Sequence, residues 1–214
     1  MLKGILFDID GILIDSEDVH YNVLREIFED YGVNLGEDEY VKRWMIEQTT
    51  TPGVIFEYNL HANVSEIRDL RHRMMAERVN EIEMIPGAFY LLERFNGVYD
   101  YGLVTSAKRR DFLQKIERFN IFEYFKISVC GDEVMNCKLH KEPYELGCQL
   151  LGYNPFEVLV IEDNPTGVKS AHDCGCKVIA YPNGFTKKLD FSLADRVVNS
   201  LDEITEEFVN GMYS

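Results

Sequence analysis

Residues Leu2 to Ile9 (LKGILFDI) form a short apolar run of branched and aromatic side chains closing on acids, which predicts a buried strand running into a polar loop. Similar runs recur at Tyr101 to Val104, Ile127 to Val129, Val158 to Ile161 and Val178 to Tyr181. Between them the apolar positions fall at helical spacing, over Ala88 to Phe95, Lys108 to Phe119, Glu142 to Leu151 and Thr166 to Cys174. Strand and helix alternating in this way predict a parallel sheet with helices on both faces.

The stretch from Ser16 to Glu83 breaks the alternation, with helical periodicity and no convincing strand. Ser16 is placed to cap a helix whose first turn carries Glu17 and Asp18, with Val23, Leu24, Ile27, Phe28 and Tyr31 on one face and Gly32 at its end. Thr51-Pro52 signals a second helix. Ser65 opens a third, with Ile67, Leu70, Met74, Val79 and Ile82 as its apolar stripe. Pro86 and Gly87 return the chain to the alternating pattern. The expectation is an α/β chain: a Rossmann-like parallel-sheet core over residues 1–15 and 86–214, with an all-helical domain inserted at 16–85.

A formal charge of −15 gives a surface field that repels nucleic-acid phosphates and anionic membranes, though a bound cation can reverse the sign locally. No apolar run approaches the length of a membrane span, and the N-terminus, broken by Asp8, Asp10 and Asp15, does not read as a signal peptide. Five cysteines without CxxC spacing read as free thiols in a reducing compartment, so a cytoplasmic monomer with no nucleic-acid or membrane partner is expected. Cys174 and Cys176 are one residue too close for a zinc knuckle and read as small core residues.

Candidate chemistry sits at the strand ends. Asp8 and Asp10 follow GILF, and Glu162 and Asp163 follow VLVI. The carboxyl ends of parallel strands border the ligand crevice, so the two pairs converge there, and carboxylates sharing a crevice repel unless protonated or bound to a cation. Oxygen-only ligands without a His or Cys cluster favour Mg²⁺, which suits substrate phosphate. Thr105 and Ser106 end another strand before a helix, where a hydroxyl and backbone N–H groups can hold phosphate oxygens. Lys138 and Lys141 are the candidates for a lysine that neutralises a transferring phosphoryl group.

These residues resemble the motifs of the haloacid dehalogenase superfamily, in particular its β-phosphoglucomutase and phosphoglycolate phosphatase-like branch. The run Asp8-Ile9-Asp10-Gly11-Ile12-Leu13-Ile14-Asp15-Ser16-Glu17 resembles the first motif and Leu103-Val104-Thr105-Ser106 the second. A lysine within Lys138 to Tyr144 matches the third, and Ile161-Glu162-Asp163-Asn164-Pro165-Thr166-Gly167 the fourth, with Asn164 where the family usually has Ser. The resemblance covers nearly the whole chain, including a helical cap inserted after the first motif.

It implies Asp8 as nucleophile forming an aspartyl-phosphate, and Asp10 as general acid and base whose backbone carbonyl binds Mg²⁺. Asp163, with Glu162, would complete the metal shell beside Asp8. Gly11 would let the backbone turn beside the phosphate, which Thr105, the Ser106 N–H and the lysine would hold. Aligning Pro143-Tyr144 with the family's helix start makes that lysine Lys138 and puts Lys141 where the family has proline. His20, on the first cap helix, lies where relatives often carry a histidine facing the site, and Arg109, in the run Lys108-Arg109-Arg110, is placed to attract an anionic substrate. Arg68, Arg71, Arg73 and Arg78 read as surface charges.

The function expected is a Mg²⁺-dependent phosphatase of a small phosphate monoester, phosphoglycolate-like or sugar-phosphate-like. A hexose phosphomutase is the nearest alternative, ranked lower because the loop Glu47 to Pro52 lacks the arginine with which the mutase grips its second phosphate. A non-catalytic phospho-acceptor or binding protein ranks below both, since receivers are smaller and lack the helical insertion. A dehalogenase is disfavoured by the metal-binding acids of motif four.

Overall fold

The computed structural model describes residues 1–47 and 51–213, so residues 48–50 of the loop just named lie outside the described residues. Contacts divide the chain into two compact units, Met1–Asp15 with Met84–Ser214, and Ser16–Glu83.

The first unit is built on six parallel strands: β1 (Gly4–Phe7), β4 (Asp100–Val104), β5 (Phe125–Val129), β6 (Val158–Glu162), β7 (Lys177–Ala180) and β8 (Arg196–Val197). Their order is β5-β4-β1-β6-β7-β8. The central strand β1 is buried at every position, as an apolar run covered on both faces must be. It pairs with β4 through Phe7 and Leu103 and with β6 through Phe7 and Ile161, so Asp8, Thr105 and Glu162 emerge at the same end of adjacent strands. The expected strands are present and parallel; β8 was not foreseen, being two exposed residues without an apolar run.

Helices α5 (Ala88–Phe95), α6 (Arg109–Ile116), α7 (Glu142–Leu151) and α8 (Pro165–Cys174) follow the predicted periodicity closely, and a short α9 (Glu206–Gly211) closes the unit. On one face of the sheet Leu6, Val104, Val160 and Val178 pack with Tyr144 and Cys148 of α7 and Val168 and Ala171 of α8. A methyl group at Gly147 would press Leu6 and Val104, so glycine lets α7 lie close to the sheet. Phe7 meets Tyr101 edge to face at 5.1 Å between ring centres. Asn164 caps α8 by accepting from the Thr166 N–H at 3.0 Å, with Pro165 in its first turn and left-handed Gly175 beyond its end.

The second unit is helical: α1 (Glu17–Glu29), α2 (Glu37–Tyr40) running into a π-helical stretch (Val41–Ile46), α3 (Thr51–Glu57) and α4 (Val64–Glu77). α1 buries Val19, Val23, Leu24, Ile27 and Phe28 and packs against α4. Arg78 is not a loose surface charge, because it forks onto both carboxylate oxygens of Glu26. The cap of α4 is Asn63 instead of Ser65: the Asn63 side chain accepts from the Ser65 N–H at 2.9 Å. Val79 and Ile82 fall beyond α4, since a 3₁₀ turn at Val79–Glu81 ends the stripe early. Ser16 precedes α1 without a side-chain cap hydrogen bond. β2 (Ile14–Asp15) and β3 (Glu83–Met84) pair as a ribbon where the chain passes from one unit to the other and back.

Candidate active site

The carboxyl ends of β1 and β6 carry the two acidic pairs, and strand register brings them together. Carboxylate oxygens of Asp8, Glu162 and Asp163 lie within 4.8 Å of one another, and all three residues are buried. Lys138, only 6% exposed, ion-pairs with Asp8 Oδ1 and stands 2.7 Å from Glu162 Oε1. Lys141 lies outside this group, exposed and paired with Glu145 one helical turn on.

Glu162 is held on every side. Its Oε1 accepts from Lys138 and from the Tyr144 hydroxyl at 2.8 Å, and its Oε2 accepts from the Asp163 and Asn164 N–H groups at 3.0 and 3.1 Å. A carboxylate has about four acceptor positions, and all four are engaged. Gly167 of α8 completes the enclosure, since any Cβ there would overlap the Glu162 carboxylate.

Burial is the largest influence on Asp8 and, with Glu162 and Asp10 nearby, pushes its carboxyl up to about 8 against the pull of Lys138. Lys138 is driven the other way from an ordinary buried amine: burial lowers it, but Asp8 and Glu162 together hold it above its usual value. One buried ammonium therefore faces three crowded carboxylates. An oxygen-only donor set with excess negative charge is what a small hard cation requires, and the residues present fit Mg²⁺.

Gly11 takes φ +83°, and a side chain there would overlap the Asp163 carboxylate, so glycine is needed both for the turn and for the close approach. Leu139, beside Lys138, takes φ +90°, a strained conformation for a branched residue, in the loop that delivers the lysine. Thr105 is buried just beyond β4, its Oγ1 accepting from the Ala107 N–H at 3.1 Å, and Ser106 next to it is exposed.

One expected residue does not join the cluster. Arg109 turns its guanidinium to Glu133, which it contacts at 2.6 to 2.9 Å through Nε and Nη2, and to Ser128 Oγ at 2.6 Å. Its donors are thus committed to the end of β5, because a carboxylate across the loop outcompetes solvent for a planar fork. His20 belongs to the helical unit, where its Nδ1 stands 2.7 Å from Tyr40 Oη while Tyr40 donates to Glu17 Oε2 at 2.6 Å. With the Tyr40 proton directed at Glu17, His20 Nδ1 is the donor of the pair.

Three residues of the site were not foreseen. Lys115, on α6, reaches Asp10 Oδ1 at 2.6 Å. Asn183, in the loop after β7, donates from Nδ2 to Asp163 Oδ2 at 2.7 Å. The third is the Tyr144 hydroxyl. A search of every strand-end loop would have found Asn183; Lys115 carries no signal in sequence, since it lies far along its helix from the strand end.

The family model for haloacid dehalogenase-like hydrolases matches residues 5–181, which contain all of these positions except Asn183. The chain belongs to the haloacid dehalogenase-like hydrolase family. The protein YhcW of Bacillus subtilis (strain 168) is 29% identical over 210 residues, covering 95% of this chain and 94% of that one. The phosphorylated carbohydrates phosphatase of Thermotoga maritima is 27% identical over 184 residues, 83% of this chain and 84% of its own. The crystal structure of CbbY from Rhodobacter sphaeroides in complex with phosphate superposes with a TM-score of 0.85 at 22% identity, covering 98% of this chain and all of that one, and so shares the fold. This member of the family is an enzyme of the phosphatase class, as its relatives' names give it. Among the described residues no helix is long and apolar enough to cross a membrane.

Proposed function

We propose that this hydrolase is a Mg²⁺-dependent phosphatase that cleaves a small phosphate monoester through a phosphorylated Asp8. The observation that carries the reading is the Asp8 carboxylate at the end of β1, ion-paired to buried Lys138 and within 4.8 Å of Glu162 and Asp163. Asp8, Asp163 and the Asp10 backbone carbonyl would hold Mg²⁺. Glu162, its acceptor positions already engaged by four protein donors, serves as the anchor of Lys138. When bound, Mg²⁺ supplies positive charge to the phosphoryl oxygens and relieves repulsion among the acids.

The remaining steps belong to the chain. Asp8 attacks phosphorus in line, forming an acyl phosphate while the bond to the leaving oxygen breaks and Asp10 gives that oxygen a proton. Asp10 then takes a proton from water, which attacks the same phosphorus and releases phosphate with Asp8 restored. Lys138, the Thr105 hydroxyl and the Ser106 N–H would hold the equatorial oxygens as charge develops. Asn183 holds the Asp163 carboxylate in place. The name of the Thermotoga maritima relative makes phosphorylated carbohydrates the first substrates to try.

The test is phosphate release from a panel of monoesters, including phosphoglycolate and hexose phosphates, with Mg²⁺, with EDTA, and with Asp8→Asn. Release that needs both Mg²⁺ and Asp8 is expected. Interconversion of hexose 1- and 6-phosphates without release would replace the phosphatase by a phosphomutase. Stoichiometric labelling without turnover would point to a phospho-acceptor.

A further inference from the structure

Outside the carboxylate cluster, three of the five cysteines converge. Cys148 lies in α7, Cys174 is the last residue of α8, and Cys176 directly precedes β7. Left-handed Gly175, at φ +94°, turns the chain between the last two, with the Cys176 N–H returning to Ala171 O at 3.1 Å. The turn sets both sulfurs of the pair against Cys148. All three lie within 4.8 Å of one another, and Cys148 and Cys176 are 3.6 Å apart. Cys148 and Cys176 are buried in the apolar core beside Val178 and Phe191, and Cys174 is part-exposed, which leaves one way in from solvent.

The separations suit one shared ion. A metal–sulfur bond of about 2.3 Å places three coplanar sulfurs about 4.0 Å apart, inside the spread found here. Tetrahedral zinc needs a fourth donor, whereas the surroundings are mostly hydrocarbon. Soft thiolates with no oxygen or nitrogen ligand select Cu(I). A second observation bears on the same place. The Tyr213 hydroxyl is buried without a hydrogen-bond partner among the described residues, and burial first, then Cys176, Asp195, Tyr99 and Cys148, push its pKa up. A buried hydroxyl left unpaired costs about 1–3 kcal/mol, and a thiolate within reach would accept a hydrogen bond from it. Hydrogen bonds from Cys148 and Cys176 hold the Cys174 thiol below its usual range, while contact with Cys174 pushes the Cys148 thiol up and contacts with Cys148 and Cys174 push the Cys176 thiol up, so Cys174 is the sulfur of the three that carries the negative charge.

We propose that Cys148, Cys174 and Cys176 form a three-coordinate site for a soft monovalent cation, Cu(I), separate from the phosphate site. The separation follows from topology: Cys176 precedes the first residue of β7, whereas the carboxylates lie at the carboxyl ends of the strands. Binding replaces S–H by S–Cu bonds and releases thiol protons to solvent; copper stays monovalent and no oxidant enters.

The test is anaerobic competition between the full chain and bicinchoninate for Cu(I), with copper-edge X-ray absorption on the product. The chain is expected to withdraw one equivalent and to show three sulfur neighbours. Cys148→Ser and Cys176→Ser should each weaken retention at least about tenfold, with Cys137→Ser unchanged. Should those buried variants not fold, alkylation of the wild-type chain reads the same site: Cu(I) should protect Cys174 and leave exposed Cys137 reactive. No copper withdrawn, equal retention by Cys148→Ser, Cys174 alkylated equally with and without copper, or retention of Zn(II) but not Cu(I) would each overturn the proposal.

Discussion

Lys138 Nζ stands 2.7 Å from Glu162 Oε1, and the same ammonium is ion-paired to Asp8. The lysine therefore bridges a carboxylate with no acceptor position to spare and the proposed nucleophile. Removing it takes away the positive charge aimed at the phosphoryl oxygens and leaves two buried acids uncompensated. Lys138→Met should lower kcat by about 10³-fold. Lys141→Ala, which removes an exposed pair with Glu145, should stay within about twofold of the parent. The reverse ranking in steady-state kinetics would place the lysine wrongly.

Lys115 lies 2.6 Å from Asp10 Oδ1, and both side chains are more than four-fifths covered. If Asp10 protonates the leaving oxygen, loss of this contact should matter most where that oxygen needs a proton. Lys115→Met should reduce kcat/KM for an alkyl phosphate by about 10–100-fold and for p-nitrophenyl phosphate by less than about threefold. Equal losses on both substrates would show that Lys115 does not act through the acid.

Gly167 sits inside α8, where alanine would ordinarily gain about 1 kcal/mol of helix propensity. Here the new methyl overlaps the Glu162 carboxylate, and overpacking costs about 1–3 kcal/mol. Gly167→Ala should thus be net destabilising in urea unfolding and should depress kcat by disturbing Lys138. A more stable variant with full activity would show that Glu162 has room to move.

Asp8 supplies a pH test of the crowded cluster. Its carboxyl is pushed up to about 8 in the folded protein, from an ordinary value near 3.8. Between those values the folded chain keeps a proton that the unfolded chain has lost, so metal-free stability falls as pH rises through the window. Asp8→Asn escapes that loss. Its thermal advantage over wild type should widen from pH 5 to pH 8, by at most about 1.4 kcal/mol per pH unit, and should shrink on adding Mg²⁺. A gap independent of pH would mean that burial does not hold the proton on Asp8.

The legible part of the fold followed from local pattern. The apolar run before Asp8, the matching run before Glu162 and the periodicity of α5, α7 and α8 were enough to place both acidic pairs at the carboxyl ends of parallel strands. Lys138 was separable from Lys141 through Pro143, which marks the helix start. What escaped was set by long-range packing. Lys115 reaches Asp10 only because of the direction α6 takes. Cys148 joins Cys174 and Cys176 because α7 and α8 lie side by side on one face of the sheet. Arg109 was read as open to an anion because its partner Glu133 lies in the loop after another strand. The cap of α4 moved from Ser65 to Asn63 for a local reason, since the asparagine side chain accepts from the Ser65 N–H.

The central claim is that Asp8 takes the phosphoryl group, and chemical trapping tests it most directly. The enzyme with Mg²⁺ and a turned-over monoester is quenched in acid during the first turnover, reduced with borohydride, digested and weighed. An acyl phosphate is reduced to the alcohol, so homoserine at position 8 is the result expected, absent without substrate and absent in Lys138→Met quenched at the same time. Full phosphate release with residue 8 recovered only as aspartate, at every quench time, would contradict the account.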